Sequence, residues 1–145
     1  MHIAVLSGKG GTGKTFVSVN LAFAAENATY IDCDVEEPNG WLFLKPDITA
    51  TENVEVMLPY VNAEKCTACR KCVDFCQYNA LALVNNRLLV FKELCHDCGG
   101  CILLCPEKAL TEQSRTIGKV EYGVSDKVKT RTGVLNTGEA VGIPI

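Results

Sequence analysis

Eight of the nine cysteines in this 145-residue chain fall into two runs of identical spacing. The first reads Cys66-Thr-Ala-Cys69-Arg-Lys-Cys72-Val-Asp-Phe-Cys76, a C-x2-C-x2-C-x3-C pattern. The second, Cys95-His-Asp-Cys98-Gly-Gly-Cys101-Ile-Leu-Leu-Cys105-Pro106, repeats it 29 residues later. Four thiolates presented on short loops can enclose a [4Fe–4S] cube, so the expectation is two such clusters. Zinc ribbons also use C-x2-C pairs, but they have no use for a third and fourth cysteine at these offsets. A disulfide framework suits a small secreted scaffold. The opening Met1-His-Ile-Ala-Val-Leu lacks the basic n-region and the apolar length of a signal peptide, and the cytoplasm is the expected compartment.

The spacing, closed by Cys105-Pro106, resembles the bacterial ferredoxin run, in which the fourth cysteine of each run serves the other cluster. That resemblance implies one cluster on Cys66, Cys69, Cys72 and Cys105, and a second on Cys95, Cys98, Cys101 and Cys76. His96 is not expected to be a ligand, because each quartet is already complete.

A second constellation lies at the start of the chain. Gly8-Lys-Gly-Gly-Thr-Gly-Lys-Thr15 matches G-x4-G-K-[ST]. Gly8, Lys9, Gly10, Gly11, Thr12 and Gly13 would turn backbone N–H groups toward a triphosphate. Lys14 would reach the outer phosphates and Thr15 would ligate Mg2+. Ile3–Leu6 before the loop reads as a buried parallel strand, and Lys14 to about Glu26 as an almost wholly apolar helix packed on a sheet. Ala28–Ile31 reads as a second strand, ending in Asp32-Cys-Asp34. Asp34 is expected to orient a water and Asp32 to support the metal shell. Either could instead cap the helix that Pro38 opens. Cys33 reads as a buried thiol, and Trp41 and Phe43 as core.

Around the cysteines the expected elements are short. Glu55–Leu58 reads as a strand, and residues 77–82 and 106–110 as helical turns. Residues 83–91 read as a hairpin turning at Asn85-Asn86. Lys119–Tyr122 and Lys127–Thr130 read as short strands, and 133–139 as leading into a helix. The division implied is 1–60 for the first part of a nucleotide-binding domain, 61–114 for a two-cluster ferredoxin-like α+β insert, and 115–145 for the return to the first domain.

Hydrophobic content of 48%, charged content of 21% and a net charge of −3 fit an ordinary globular chain. The basic residues form no long run, so nucleic acid is not an expected partner, and no apolar run is long enough for a transmembrane helix.

Lys9, immediately after the first loop glycine, resembles the deviant P-loop lysine of the MinD, ParA and nitrogenase iron-protein class. Together with the Asp32–Asp34 strand end and the double cysteine run, the chain resembles the iron–sulfur MinD/Mrp-type ATPases. The resemblance implies an α/β fold with a parallel P-loop sheet that is incomplete at the C-terminus. It also implies ATP with Mg2+, Lys9 acting across a nucleotide-dependent homodimer, and Lys9, Lys14 and Asp34 as catalytic groups. Such ATPases continue through a Walker-B-like strand, so a complementary C-terminal half is expected. Three functions remain open: an ATP-dependent carrier or assembly scaffold handing clusters to an apo-protein, an ATP-gated electron relay to a redox partner, and a redox-sensing positioning switch.

Overall fold

In the computed structural model, which describes residues 1–8 and 11–139, the chain runs α1 (Lys14–Ala24), β1 (Thr29–Asp32), α2 (Gly40–Leu44), β2 (Asp47–Val61), α3 (Lys71–Phe75), β3 (Leu81–Val84), β4 (Arg87–Val90), a 3-10 turn (Lys92–Leu94), α4 (Gly100–Leu103), β5 (Leu110–Ser125) and β6 (Val128–Leu135). Strands order as β1-β6-β5-β2 in one sheet and β3-β4 in another. The chain divides into two units, one formed by Met1–Asn53 with Gly118–Asn136, the other by Val54–Ile117 with Thr137–Ile145.

The first unit departs from the sequence expectation. A parallel P-loop sheet requires a strand directly before the glycine loop, yet residues 1–7 form none, and Ile3 and Leu6 are 59% and 88% exposed. β1 does lie parallel to a neighbour, but that neighbour is β6, paired from Thr29↔Lys129 to Asp32↔Thr132. β6 then pairs antiparallel with β5 over Gly118↔Leu135 to Ser125↔Val128. The physical reason is local. Asp126, at φ 49°, closes a tight hairpin with Lys127 and gives β6 an antiparallel partner adjacent in sequence, with no crossover helix to bury. The sheet is therefore mixed, and the MinD-like parallel-sheet architecture is not the fold observed.

The same hairpin carries β6 to Leu135, through the segment read as leading into a helix. Its buried faces pack on Val19 and Ala22 of α1, one turn apart, with Leu44 and Val128 completing the core and Ala28 and Tyr30 packed against it. Trp41 and Phe43 are not core. They are 52% and 54% exposed, because the inward face of the five-residue α2 is taken by Gly40 and Leu44, one turn apart. α1 likewise buries one stripe only, leaving Phe16, Val17, Leu21 and Phe23 exposed, and Cys33 is exposed too.

In the second unit the 29-residue repeat is reproduced in the backbone. Ala68, Arg70 and Asn79 are left-handed, with φ of 54°, 66° and 54°. Asp97, Gly99 and Lys108, their counterparts, have φ of 51°, 66° and 48°. Each run thus winds through a left-handed loop and enters a short helix, α3 or α4, inside the cysteine pattern. The stretches after the runs, expected to be helical, are tight turns: Asn79 N–H donates to Cys76 O, and Lys108 N–H to Cys105 O. The β3–β4 hairpin turns at Asn85-Asn86, φ 49° and 58°, where asparagine tolerates the conformation a two-residue turn demands.

Leu44→Ala is expected to destabilise the first unit by about 2–5 kcal/mol. Trp41→Ala should change stability by no more than about 0.5 kcal/mol. Equilibrium denaturation of the two variants checks this, and the reverse ranking would place Trp41 in the core after all.

Candidate metal centres

The second unit contains two cavities among the cysteines. One is lined by Cys66, Cys69, Cys72 and Cys105, with Leu83, Leu88 and Leu110 as apolar wall and Arg70 and Glu107 also among its lining residues. The other is lined by Cys76, Cys95, Cys98 and Cys101, with Phe75, Leu81 and Ile102 as wall and Glu112 among its lining residues. Three cysteines in each cavity come from one run and the fourth from the other.

Local structure explains this distribution. The left-handed residues at 68 and 70, and at 97 and 99, curl each loop so that its first three cysteines face one cavity. The helix that follows then carries the chain away. Cys76 closes α3, its N–H donating to Cys72 O and Val73 O, and so leaves the first cavity for the second. Packing between α3 and α4 is close at one position: a Cβ on Gly100 would stand 2.2 Å from Phe75 Cε1. Only glycine there lets the Phe75 ring lie against α4.

The donor set fits [4Fe–4S] clusters. All the cysteines are free thiols. Four of them (Cys72, Cys76, Cys101 and Cys105) belong to or pack against the unit's apolar core around Leu81 and Leu110, so the thiols stand where water is scarce. Ala109 N–H donates to Cys105 Sγ at 3.2 Å and helps fix the position of that sulfur. Among the described residues, no three His, Cys, Asp or Glu side chains converge on a point that could hold a single metal ion. A zinc site would draw its thiolates to about 2.3 Å from one centre. Thiols spread around a cavity suit a polynuclear group instead.

Burial pushes the Cys101 thiol up to about 11, and it raises Cys72 and Cys95 as well. Without iron these groups hold their protons at neutral pH, so loading must release them. His96, which the sequence does not predict as a ligand, is among the residues lining the second cavity. It stacks on Tyr78, with ring centroids 3.8 Å apart and planes 16° from parallel.

In the first unit, Gly8, Gly11, Thr12 and Gly13 form the loop before α1, while Lys9 and Gly10 lie outside the described residues. Gly11 and Gly13 adopt φ of 76° and 87°, open to glycine, and Gly13 caps α1. Lys14 Nζ donates to Asp34 Oδ2 at 2.7 Å, and this bond raises the lysine pKa, keeping the ammonium charged. Thr15 Oγ1 donates to Asn39 Oδ1 at 2.7 Å. Asn39 was not singled out from sequence; its place just after Pro38, opening α2, was the available signal. Asp32 is buried and accepts from Asp34 N–H at 3.1 Å and Gly40 N–H at 3.0 Å, so its carboxylate ties the 32–40 loop and the start of α2.

Comparison with known proteins now bears on the cysteine unit. Residues 58–106 match the 4Fe-4S dicluster domain family. That segment is an iron–sulfur, ferredoxin-like domain. The chain is also similar to two uncharacterized proteins of Methanocaldococcus jannaschii. One is 34% identical over 149 residues, which cover 96% of this chain and 51% of the relative. The other is 41% identical over 86 residues, covering 56% of this chain and 30% of the relative. The chain thus spans about half the length, or less, of these curated relatives. The comparisons extend to iron–sulfur chemistry, and the MinD/Mrp ATPase resemblance is not shown by them.

Crossed ligation has a direct test. Cys66→Ser and Cys105→Ser should each lower bound iron to about half of the full load. The double variant should lower it no further, because both remove the same cluster. Cys66→Ser with Cys76→Ser should lose both. Iron analysis after anaerobic reconstitution decides between this and run-by-run ligation, which would reverse the two double-variant results. Reconstitution of the apo-protein should also strengthen as pH rises from about 7 toward 9, as thiol protons become easier to remove.

Proposed function

We propose that this chain is an electron-transfer protein that holds two [4Fe–4S] clusters and passes single electrons between redox partners. The observation that carries this reading is the crossed distribution of the eight cysteines over two cavities in one small unit. When bound, each cluster supplies a reversible one-electron couple. The residues of the chain do the remainder. Cys76 and Cys105 each tie the end of one run into the cavity of the other, so neither cluster could leave without loosening both loops. Leu83, Leu88 and Leu110 in one cavity, and Phe75, Leu81 and Ile102 in the other, supply an apolar wall on the inner side, while Cys69 and Cys98 lie on the exposed side. Such fixed ligation suits a relay, since a carrier needs its clusters labile.

A second reading is favoured by the loop before α1. Gly11 and Gly13 hold left-handed backbone there, Lys14 and Thr15 occupy the first turn of α1, and Asp34 and Asn39 engage them. On this reading the segment binds ATP with Mg2+, phosphate displacing Asp34 from Lys14 and Mg2+ displacing Asn39 from Thr15. Nucleotide then gates the clusters, either for electron delivery or for transfer to an apo-protein, and a nucleotide-dependent dimer is the form expected to act.

Anaerobic cluster transfer to an apo-ferredoxin, with and without Mg-ATP, separates the readings. Clusters that stay bound under both conditions, and that reduce and reoxidise reversibly, are expected for the relay. Transfer that requires Mg-ATP would overturn it in favour of carriage. Lys14→Ala should abolish any nucleotide binding while leaving iron content unchanged, and Cys69→Ser should lower the iron while leaving nucleotide binding intact.

A further inference from the structure

The two cluster loops share backbone angles but not charge. The first carries Arg70 and Lys71 between its second and third cysteines, where the second carries Gly99 and Gly100. Arg70 and Gly99 have the same φ of 66°. That conformation is free for glycine and unfavourable for a residue with a Cβ. Arginine is thus held where glycine would serve the backbone better, and strain of this kind is retained at positions that do work.

Its surroundings indicate what the work is. Arg70 lines the cavity of Cys66, Cys69, Cys72 and Cys105, where Glu107 is the opposing charge. The other cavity has no lysine or arginine in its lining and has Glu112 instead. Asp74 lies 3.4 Å from Arg70 Nη2, but both side chains are about 60% exposed (60% and 64%), so that pair is loose and screened by water. A cation beside a cluster favours the reduced form, which carries one more negative charge, and net charge is among the factors that set cluster potentials.

We propose that Arg70 raises the reduction potential of the cluster at Cys66, Cys69, Cys72 and Cys105 above that of the cluster at Cys76, Cys95, Cys98 and Cys101. This rests on the electron-transfer reading above and gives it a direction. An electron delivered to either site by a low-potential one-electron donor comes to rest on the Arg70 side. One cluster is reduced for each donor molecule oxidised, and no bond forms or breaks.

The test is a potentiometric titration of the fully loaded chain, followed by electron paramagnetic resonance, on wild type, R70G, R70Q and R70K. Two resolved one-electron waves are expected in the wild type. R70G and R70Q should shift only the higher wave downward, by about three- to tenfold in its reduction equilibrium, tenfold being about 59 mV for one electron. R70K should restore most of the gap, and raising the salt concentration should narrow it in the wild type. R70G should fold and load iron normally, since it copies Gly99. Two clusters reducing at one potential, or R70G moving neither wave or only the lower, would overturn the proposal and leave the relay standing. A purely structural Arg70 would change the thermal stability of R70G without moving either wave. Absence of any reversible reduction would overturn the relay and this inference with it.

Discussion

Each cysteine run has to deliver its fourth sulfur to the cavity built by the other, and the architecture of the second unit follows from that requirement. Three cysteines at two-residue spacing need a loop that curls back on itself, hence the left-handed residues at 68 and 70 and again at 97 and 99. The fourth must then leave, hence a helix of only four or five residues that begins just before the third cysteine and ends before the fourth. A longer helix would carry Cys76 or Cys105 past its target. The hairpin of β3 and β4 spans the interval between the runs, and its side chains Leu81, Leu88 and Val90 join the core that shields the thiols. With four of its eight run cysteines in or against so small a core, the unit is one in which cluster binding would add to folding stability.

The first unit obeys a different constraint. The polar residues around the start of α1 are matched among themselves: Lys14 with Asp34, Thr15 with Asn39, Asp32 with the N–H groups of Asp34 and Gly40. These bonds join the start of α1 to the loop after β1. The apolar residues around them are less well accommodated, with Phe16, Phe23, Trp41 and Phe43 all more than half exposed. The loop is ordered by its ion pair, while the hydrophobic stripe of α1 is only partly used.

The cysteine unit was largely legible in the sequence because its information is local. Ligand spacing, the Asn85-Asn86 turn and the apolar run Leu88–Phe91 that follows it each specify a few residues without reference to distant chain. The mixed sheet was not legible in the same way. Nothing within Ile3–Leu6 says whether another strand will pair with it, and an apolar run reads the same whether buried or not. β5 and β6 were seen as two short strands because Gly118, Gly123 and Gly133 break their apolar pattern. In the structure a Cβ at Gly118 would stand 2.5 Å from Val134 O of β6, and one at Gly123 2.9 Å from Asp47 O of β2, so these glycines mark close backbone approach to both neighbouring strands. The sequence misplaces Trp41 and Phe43 for a related reason: bulk and apolarity favour burial, but the inward face of the five-residue α2 is taken by Gly40 and Leu44.

The contact between Phe75 and Gly100 bears on how the two halves came to differ. Twenty-nine residues separate Phe75 from Leu104 and Lys71 from Gly100, so the ring and the glycine that receives it have no mirror-image copy elsewhere in the unit. Leu104 is 46% exposed. The halves are consequently no longer interchangeable parts. A chain in which the first run was duplicated over the second would bring Lys71's side chain to the place where the ring must lie.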